Sequence, residues 1–198
     1  MEKEIVIVLL DDFADWEAAF LAPALRTGVM PGHTPFCGTK YMTPDGKAVR
    51  SLGGMQVTPD CDASALPGNC AGVILVGGMR WQSDEALRIV PLVEEALARG
   101  VLVGAICNAA SFLAAHGFLN GVRHTGNTVE MLKKWGGERY TGQALYEERQ
   151  AVRDGNIVTA NGTGCLEFTR ECLLALGADT PEAVDASYKF NKHGFCKA

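Results

Sequence analysis

The residues with the clearest chemical potential lie in Ala105-Ile106-Cys107-Asn108-Ala109. A thiol sits there between a continuous apolar run and a helical pattern, with a small residue two positions to either side. This is the pattern of a nucleophile elbow, a strained strand-to-helix turn that exposes its nucleophile and brings backbones close together. At a helix N-terminus, free backbone N–H groups favour a thiolate, so a lowered thiol pKa is expected. The competing reading makes Cys107 one more small buried hydrophobe. The elbow context favours chemistry for Cys107, and packing for Cys37, Cys61, Cys70, Cys165, Cys172 and Cys196.

Such a turn needs strands and helices to hold it. EIVIVLL (4–10), AGVILVGG (71–78) and GVLVGAI (100–106) are continuous apolar runs, as expected of parallel strands covered on both faces. A helix is expected over about 14–26, capped by Asp12 or Asp15. Trp16, Phe20 and Ala24 would face the sheet, with Pro23 kinking or breaking the helix near Ala22. Short strands and turns are expected over 34–58, with Pro44-Asp45-Gly46 and Gly53-Gly54 as turn signals. A helix over 83–99 restarts at Pro91, and a second follows Cys107 and stops at His116-Gly117. A short helix from about 127, a hairpin around Asp154-Gly155, and helices from Cys165 to Leu176 and from Pro181 to Lys192 complete the chain. Strands alternating with helices predict one α/β domain over 1–198 with a parallel sheet.

Residues 100–119 carry no Asp, Glu, Lys or Arg, and twenty such positions are long enough for a membrane span. Three glycines, Asn108, Ser111 and His116 interrupt them. A β-branched first half and an Ala-rich second half read instead as a buried strand followed by a buried helix.

Several blocks together resemble the DJ-1/PfpI superfamily, which has the class I glutamine-amidotransferase-like fold. They are the first strand with DDFADWE, ILVGGM, GAICNAASFLAAHGFLNGVRHTGN and IVTANGTGCLEFTRECLLAL. The resemblance implies a flavodoxin-like parallel sheet sandwiched by helices and a nucleophile elbow at Cys107. It matches Glu17 to an acidic residue just inside the first helix, and Gly77-Gly78 to a turn whose N–H groups point at the thiol. Ligands of open parallel sheets collect beyond the carboxyl ends of the strands, so Glu17, Gly78 and Cys107 should meet there. Burial would keep Glu17 protonated and donating to the sulfur. The plainer reading of Glu17 is a first-turn residue favoured by the helix dipole.

The chain also departs from the family. Proteolytic members carry His directly after the elbow thiol, where this chain has Asn108. Others carry His beyond the elbow helix, at a position matching Asn127. A late His-x-Glu, needed for glutamine hydrolysis, is absent from NGTGCLEF (161–168). The usual base is missing or replaced, which weakens the protease and amidotransferase labels. Of the histidines, His33 and His193 read as surface residues and His116 as a helix end. His124, after the elbow helix, is the candidate among them for the thiol's pocket, and Asn127 is a further candidate pocket residue. Arg80 and Trp81 should rim that pocket and grip a small anionic or planar ligand, or else form an interface patch.

Two function classes follow. In one, Cys107 attacks a small electrophile as a hydrolase or lyase. N–H groups of Gly78 and Asn108 or Ala109 then stabilise the developing charge, and Glu17 moves a proton. In the other, Cys107 is oxidised and the protein serves redox sensing or stress response, with Glu17 bonded to the product. The expected partner is therefore a small-molecule substrate or an oxidant.

Composition narrows the rest. The chain has 198 residues, 47% hydrophobic, with 18 basic and 23 acidic side chains for a net charge of −5. It can bury a sizeable core, and no basic stripe suits nucleic acid. The cysteines lack zinc spacing and no dinucleotide fingerprint appears, so neither metal nor cofactor is expected. The N-terminus does not read as a signal peptide, and an odd thiol count fits a reducing, cytoplasmic compartment. The resemblance implies a homodimer. Gly is 23 of 198, about 12% against a usual 7% or so, so close backbone approaches are expected.

Overall fold

The structure, a computed structural model, describes residues 3–194. In chain order the elements are β1 (Glu4–Val8), α1 (Leu21–Thr27), β2 (Gly38–Thr43), β3 (Val49–Arg50), β4 (Gln56–Val57), β5 (Cys61–Asp62), β6 (Cys70–Leu75), α2 (Val90–Ala98), β7 (Leu102–Ile106), α3 (Asn108–Ala115), α4 (Val129–Gly136), β8 (Ala151–Asp154), β9 (Ile157–Ala160), α5 (Cys165–Leu176) and α6 (Pro181–His193). Seven strands form one sheet in the order β5-β2-β1-β6-β7-β9-β8. Every pairing is parallel except β8 with β9. β3 and β4 make a separate antiparallel pair.

The apolar runs are continuous because each central strand feeds two cores. Val6 and Val8 of β1 join one core, with Val73, Leu75, Val103 and Ala105. Ile5 and Ile7 join the other, with Ile74, Leu102 and Ile106. Leu92 and Val93 of α2, Phe112 and Leu113 of α3, and Leu132 of α4 cover the first face. Leu21 and Leu25 of α1, Phe168 and Leu173 of α5, and Val184 of α6 cover the second. The protein is thus an α/β sandwich with a mostly parallel central sheet. The uncharged stretch 100–119 resolves into β7 and α3. Among the described residues no helix is long and apolar enough to cross a membrane.

The first helix differs from expectation. α1 begins at Leu21, and residues 11–20 form turns ahead of it. Asp11 and Asp15 serve a neighbouring loop, and neither Asp12 nor Asp15 caps the helix. Asp11 Oδ1 accepts the Arg50 N–H at 2.7 Å, and Asp15 accepts from the Ser51 hydroxyl and from the Gly53 N–H at 2.8 Å. Asp12 sits in the left-handed region at φ 57°. A start at Leu21 leaves Pro23 in the first turn, where its missing N–H costs nothing. Trp16 and Phe20 are therefore 49% and 37% exposed rather than packed on the sheet. Over 83–99, a 3-10 turn (Asp84–Ile89) gives way to α2, with Pro91 in its first turn.

Cys37, Cys70 and Cys172 are buried, and Cys61 and Cys165 are half-buried against the cores. Cys196 lies outside the described residues.

Candidate active site

β7 is buried at every residue and ends at Ile106, and α3 begins at Asn108. One residue must turn the chain between them. Cys107 does so at φ 60°, ψ −127°, a region that disfavours a side chain and costs on the order of 1–3 kcal/mol. The turn is held because Cys107 N–H still donates to the Ala160 carbonyl on β9 at 2.9 Å. The side chain is thereby aimed past the carboxyl ends of β1, β6, β7 and β9.

Glu17 is completely buried and lies in the turns before α1, not in a helix. The helix-dipole reading of this residue falls with that placement. Its Oε2 accepts the Gly77 N–H at 2.6 Å. Its Oε1 is buried without a conventional hydrogen-bond partner, while the carboxyl interacts with the Cys107 thiol. Gly77 lets the two meet. A Cβ at that position would lie 2.5 Å from Glu17 Oε2, 2.6 Å from Cys107 Cβ and 2.8 Å from the Ile106 carbonyl. The resemblance pointed to Gly78 as the active member of the pair; Gly77 is the residue that touches the carboxyl.

The electrostatics follow from burial. Desolvation pushes the Glu17 carboxyl up to about 7, against opposing hydrogen bonds from Cys107 and Gly77. Desolvation, then the nearby Glu17 carboxylate, push the Cys107 thiol up to about 11; the Asn127 amide and the Asn108 N–H pull it down. The lowered thiol pKa expected from the helix N-terminus is therefore overturned. A half-buried sulfur beside a carboxyl loses more from dehydration and repulsion than one helix terminus returns.

Asn127 Nδ2 lies 3.4 Å from Cys107 Sγ. The Asn108 N–H serves its neighbour's sulfur, and the Asn108 side chain donates to the Gly78 carbonyl at 2.8 Å. Gly78 itself forms a bridge with Phe13. The bonds flanking that bridge run from Ala14 N–H to the Gly77 carbonyl and from Met79 N–H to the Asp12 carbonyl.

Other expected pocket residues lie elsewhere. His124 is fully buried, with Nδ1 2.7 Å from the Val122 carbonyl and Nε2 2.7 Å from the Tyr140 hydroxyl. Both ring nitrogens are thus committed away from the sulfur, and burial lowers the ring's pKa. Trp81 is a core residue rather than a pocket rim: it is 2% exposed, donates to the Val76 carbonyl and packs on Phe112. Arg80 stays at the surface, paired with Asp12 at 3.1 Å. His33 is exposed and lies 2.6 Å from Asp179, and His116 ends α3 against Phe112.

One neighbour of the sulfur, Gly162, was missed in the sequence. A Cβ on Gly162 would lie 2.9 Å from Cys107 Sγ, and the Gly162 carbonyl accepts the Trp16 indole N–H at 3.2 Å. The Asn161-Gly162 pair after β9 was the available signal. Beside Asn127 opens a polar cavity of about 640 Å³, lined in part by Thr128, Tyr146, Arg149, Asn161 and Thr163. Among the described residues, no group of three or more His, Cys, Asp or Glu is placed to hold a metal.

A cysteine on a strained turn at the end of a central parallel strand, faced by a buried carboxyl, defines a class: α/β proteins built around a nucleophile-elbow thiol. The chain belongs to the DJ-1/PfpI family, whose model matches residues 3–175. It is 35% identical over 193 residues to the protein named uncharacterized protease YdeA of Bacillus subtilis, covering 98% of this chain and 93% of that one. It is 30% identical over 203 residues to uncharacterized protease YoaZ of the same organism, covering 96% and 91%. Among solved structures, a DJ-1 superfamily protein from Agrobacterium tumefaciens superposes with a TM-score of 0.85 at 39% identity, covering 96% of this chain and 98% of that one. A thiJ/pfpI family protein from Bacillus anthracis gives 0.88 at 29% identity, covering 98% and 92%.

Proposed function

We propose that this protein is a cysteine-dependent hydrolase or lyase acting on a small electrophilic molecule. The observation that carries the reading is the buried contact of Glu17 with Cys107 across Gly77. Together the two groups hold a proton that either can surrender. The thiol gives its proton to the Glu17 carboxylate, and the sulfur electron pair forms a bond to an electrophilic carbon. The displaced electron pair moves onto the substrate's oxygen or nitrogen. Glu17 then returns the proton to that product side, and elimination or attack by water breaks the C–S bond. The polar cavity beside Asn127 supports a small hydrophilic substrate.

Peptide hydrolysis, suggested by the names of the Bacillus subtilis relatives, is the weaker activity. The residue after the thiol is Asn108, and its side chain is spent on the Gly78 carbonyl. The test is a panel of glyoxals, amides, isocyanides and casein, run with wild type and Cys107→Ala. Turnover of one small electrophile, lost in Cys107→Ala, is expected. Equal activity in both proteins removes Cys107 from the mechanism.

A second reading, redox sensing, is favoured by the donors gathered on the sulfur. Asn127 Nδ2 and the Asn108 N–H would hold a sulfinate oxygen as readily as a thiolate. Two equivalents of hydrogen peroxide would be needed, the first giving the sulfenic acid and the second the sulfinic acid, each transferring one oxygen to the sulfur and leaving as water. Oxidation confined to Cys107 by mass analysis, with no turnover on the panel, would select it.

A homodimer belongs to the same proposal. Exposed Met55, which lines an apolar cleft with Phe13, Ala18, Ala22 and Tyr41, supports it, as do the exposed side chains of Trp16, Phe20 and Leu52. A cytoplasmic location is part of it too, consistent with the free thiols of Cys61, Cys70, Cys107, Cys165 and Cys172.

A further inference from the structure

Two side-chain amides stand beside the thiol, and backbone groups dictate which way each points. Asn127 Oδ1 accepts the Gly162 N–H at 2.9 Å. A backbone N–H can only donate, so the amide's NH2 must face the other way. There Nδ2 meets Cys107 Sγ and Asn108 Oδ1, each at 3.4 Å, and Met131 Sδ at 3.8 Å. Asn108 is fixed in the same manner, because its Nδ2 donates at 2.8 Å to the Gly78 carbonyl, which can only accept. Its Oδ1 is left to receive Asn127. Flipping Asn127 would set its NH2 against the Gly162 N–H and its oxygen against both Asn108 Oδ1 and the sulfur.

We propose that Asn127, locked by Gly162 and Asn108, is a positioning residue that donates to the Cys107 sulfur and cannot accept its proton, so that Glu17 is the proton's only destination within the site. When the S–H bond breaks, the electron pair stays on Sγ and is held by Asn127 Nδ2 and the Asn108 N–H. The proton passes to the Glu17 carboxylate, and the net charge of the site is unchanged. The ionisable group acting on the thiol is Glu17, from the turns after β1. The neighbours from the segment before α4, from α3 and from the loop after β9 are Asn127, Asn108 and Gly162, none of which titrates.

The test is alkylation of the full chain by iodoacetamide across pH, read at Cys107 by peptide mapping, with thiolate absorbance as a second measurement. It does not depend on finding a substrate, so its failure and failure of the catalytic reading are separate results. Wild type is compared with Asn127→Asp, which keeps the size and the Gly162 contact but faces the sulfur with an acceptor. Asn127→Leu keeps the bulk and removes the donor. The midpoint should rise from wild type to Leu to Asp. Below the midpoints, alkylation should slow by about threefold or more in Leu and about tenfold or more in Asp, corresponding to roughly half a pKa unit and one unit. A merely space-filling Asn127 would alter the limiting rate and leave the midpoint in place. Identical midpoints, or a lower one in Asn127→Asp, overturn the proposal. Should Asn127→Asp not fold, Asn127→Leu against wild type decides alone.

Discussion

Two acidic groups buried against one another resist losing both protons, and that governs behaviour at the residue scale. Glu17 and Cys107 titrate as a pair, with both pKa values raised. In the unfolded chain the Glu17 carboxyl returns to its ordinary 4.5; folded, it is pushed up to about 7. Between those values the folded state binds more protons than the unfolded state. Glu17's contribution is therefore fully present below 4.5 and is lost as pH rises through about 7. The amount is on the order of 3 kcal/mol. Glu17→Gln carries a neutral amide and lacks this slope. Urea titrations should show wild type losing about that much stability relative to Glu17→Gln as pH rises across the window. Parallel stability curves would mean that Glu17 is not held neutral.

At the scale of elements, the site is where four strand ends converge, and it tolerates no extra atoms. Gly77, just past β6, separates carboxyl from thiol, and a Cβ there would fall within 2.6 Å of both Glu17 Oε2 and Cys107 Cβ. Gly77→Ala should lower stability by about 1–3 kcal/mol, by overpacking. It should also break the Glu17 contact, so the pH dependence of Cys107 alkylation should change along with Tm. Gly162, in the loop between β9 and α5, is more open, and its added Cβ would meet chiefly the sulfur at 2.9 Å. Gly162→Ala is expected to slow alkylation by about tenfold while shifting stability by less than Gly77→Ala does. If alkylation proceeds at the wild-type rate, the loop after β9 does not form a wall of the site.

At the scale of the whole molecule, His124 acts away from the thiol. It bonds Val122 and Tyr140 through its ring, while its backbone bonds Leu145 and Glu147. It thus ties the connection after α3 to the segment leading into β8. His124→Ala removes both ring hydrogen bonds, opens a cavity and leaves the Tyr140 hydroxyl buried without this partner. A loss of about 2–4 kcal/mol is expected in thermal or urea unfolding. The Cys107 alkylation profile should be unchanged. A shift in that profile would return His124 to the thiol's chemistry. The proposed pairing of two copies is read by light scattering, with a mass near twice 21.1 kDa expected and a monomer mass counting against it.

The sequence by itself determined the strands, the elbow and the family. Continuous apolar runs can only be covered on both faces, and a cysteine flanked by small residues at a strand-to-helix boundary is a local pattern. Local signals also placed α5, α6 and the β8–β9 hairpin. Long-range partners decided the rest. Residues 14–20 look helical by period, but Asp15, with Asp11 just ahead, binds the 50–53 loop, and the stretch stays out of a helix. Trp81 and His124 look like pocket residues by position, but each satisfies its polar atoms inside the core. The thiol's pKa took its direction from tertiary contacts, because desolvation and a carboxyl arriving from 90 positions upstream outweigh the helix terminus beside it. Gly162 reaches the sulfur because the parallel strands β7 and β9 deliver their loops to one end of the sheet, and Asn127 arrives from the segment between α3 and α4; a chain's own neighbourhood does not record which segments meet there.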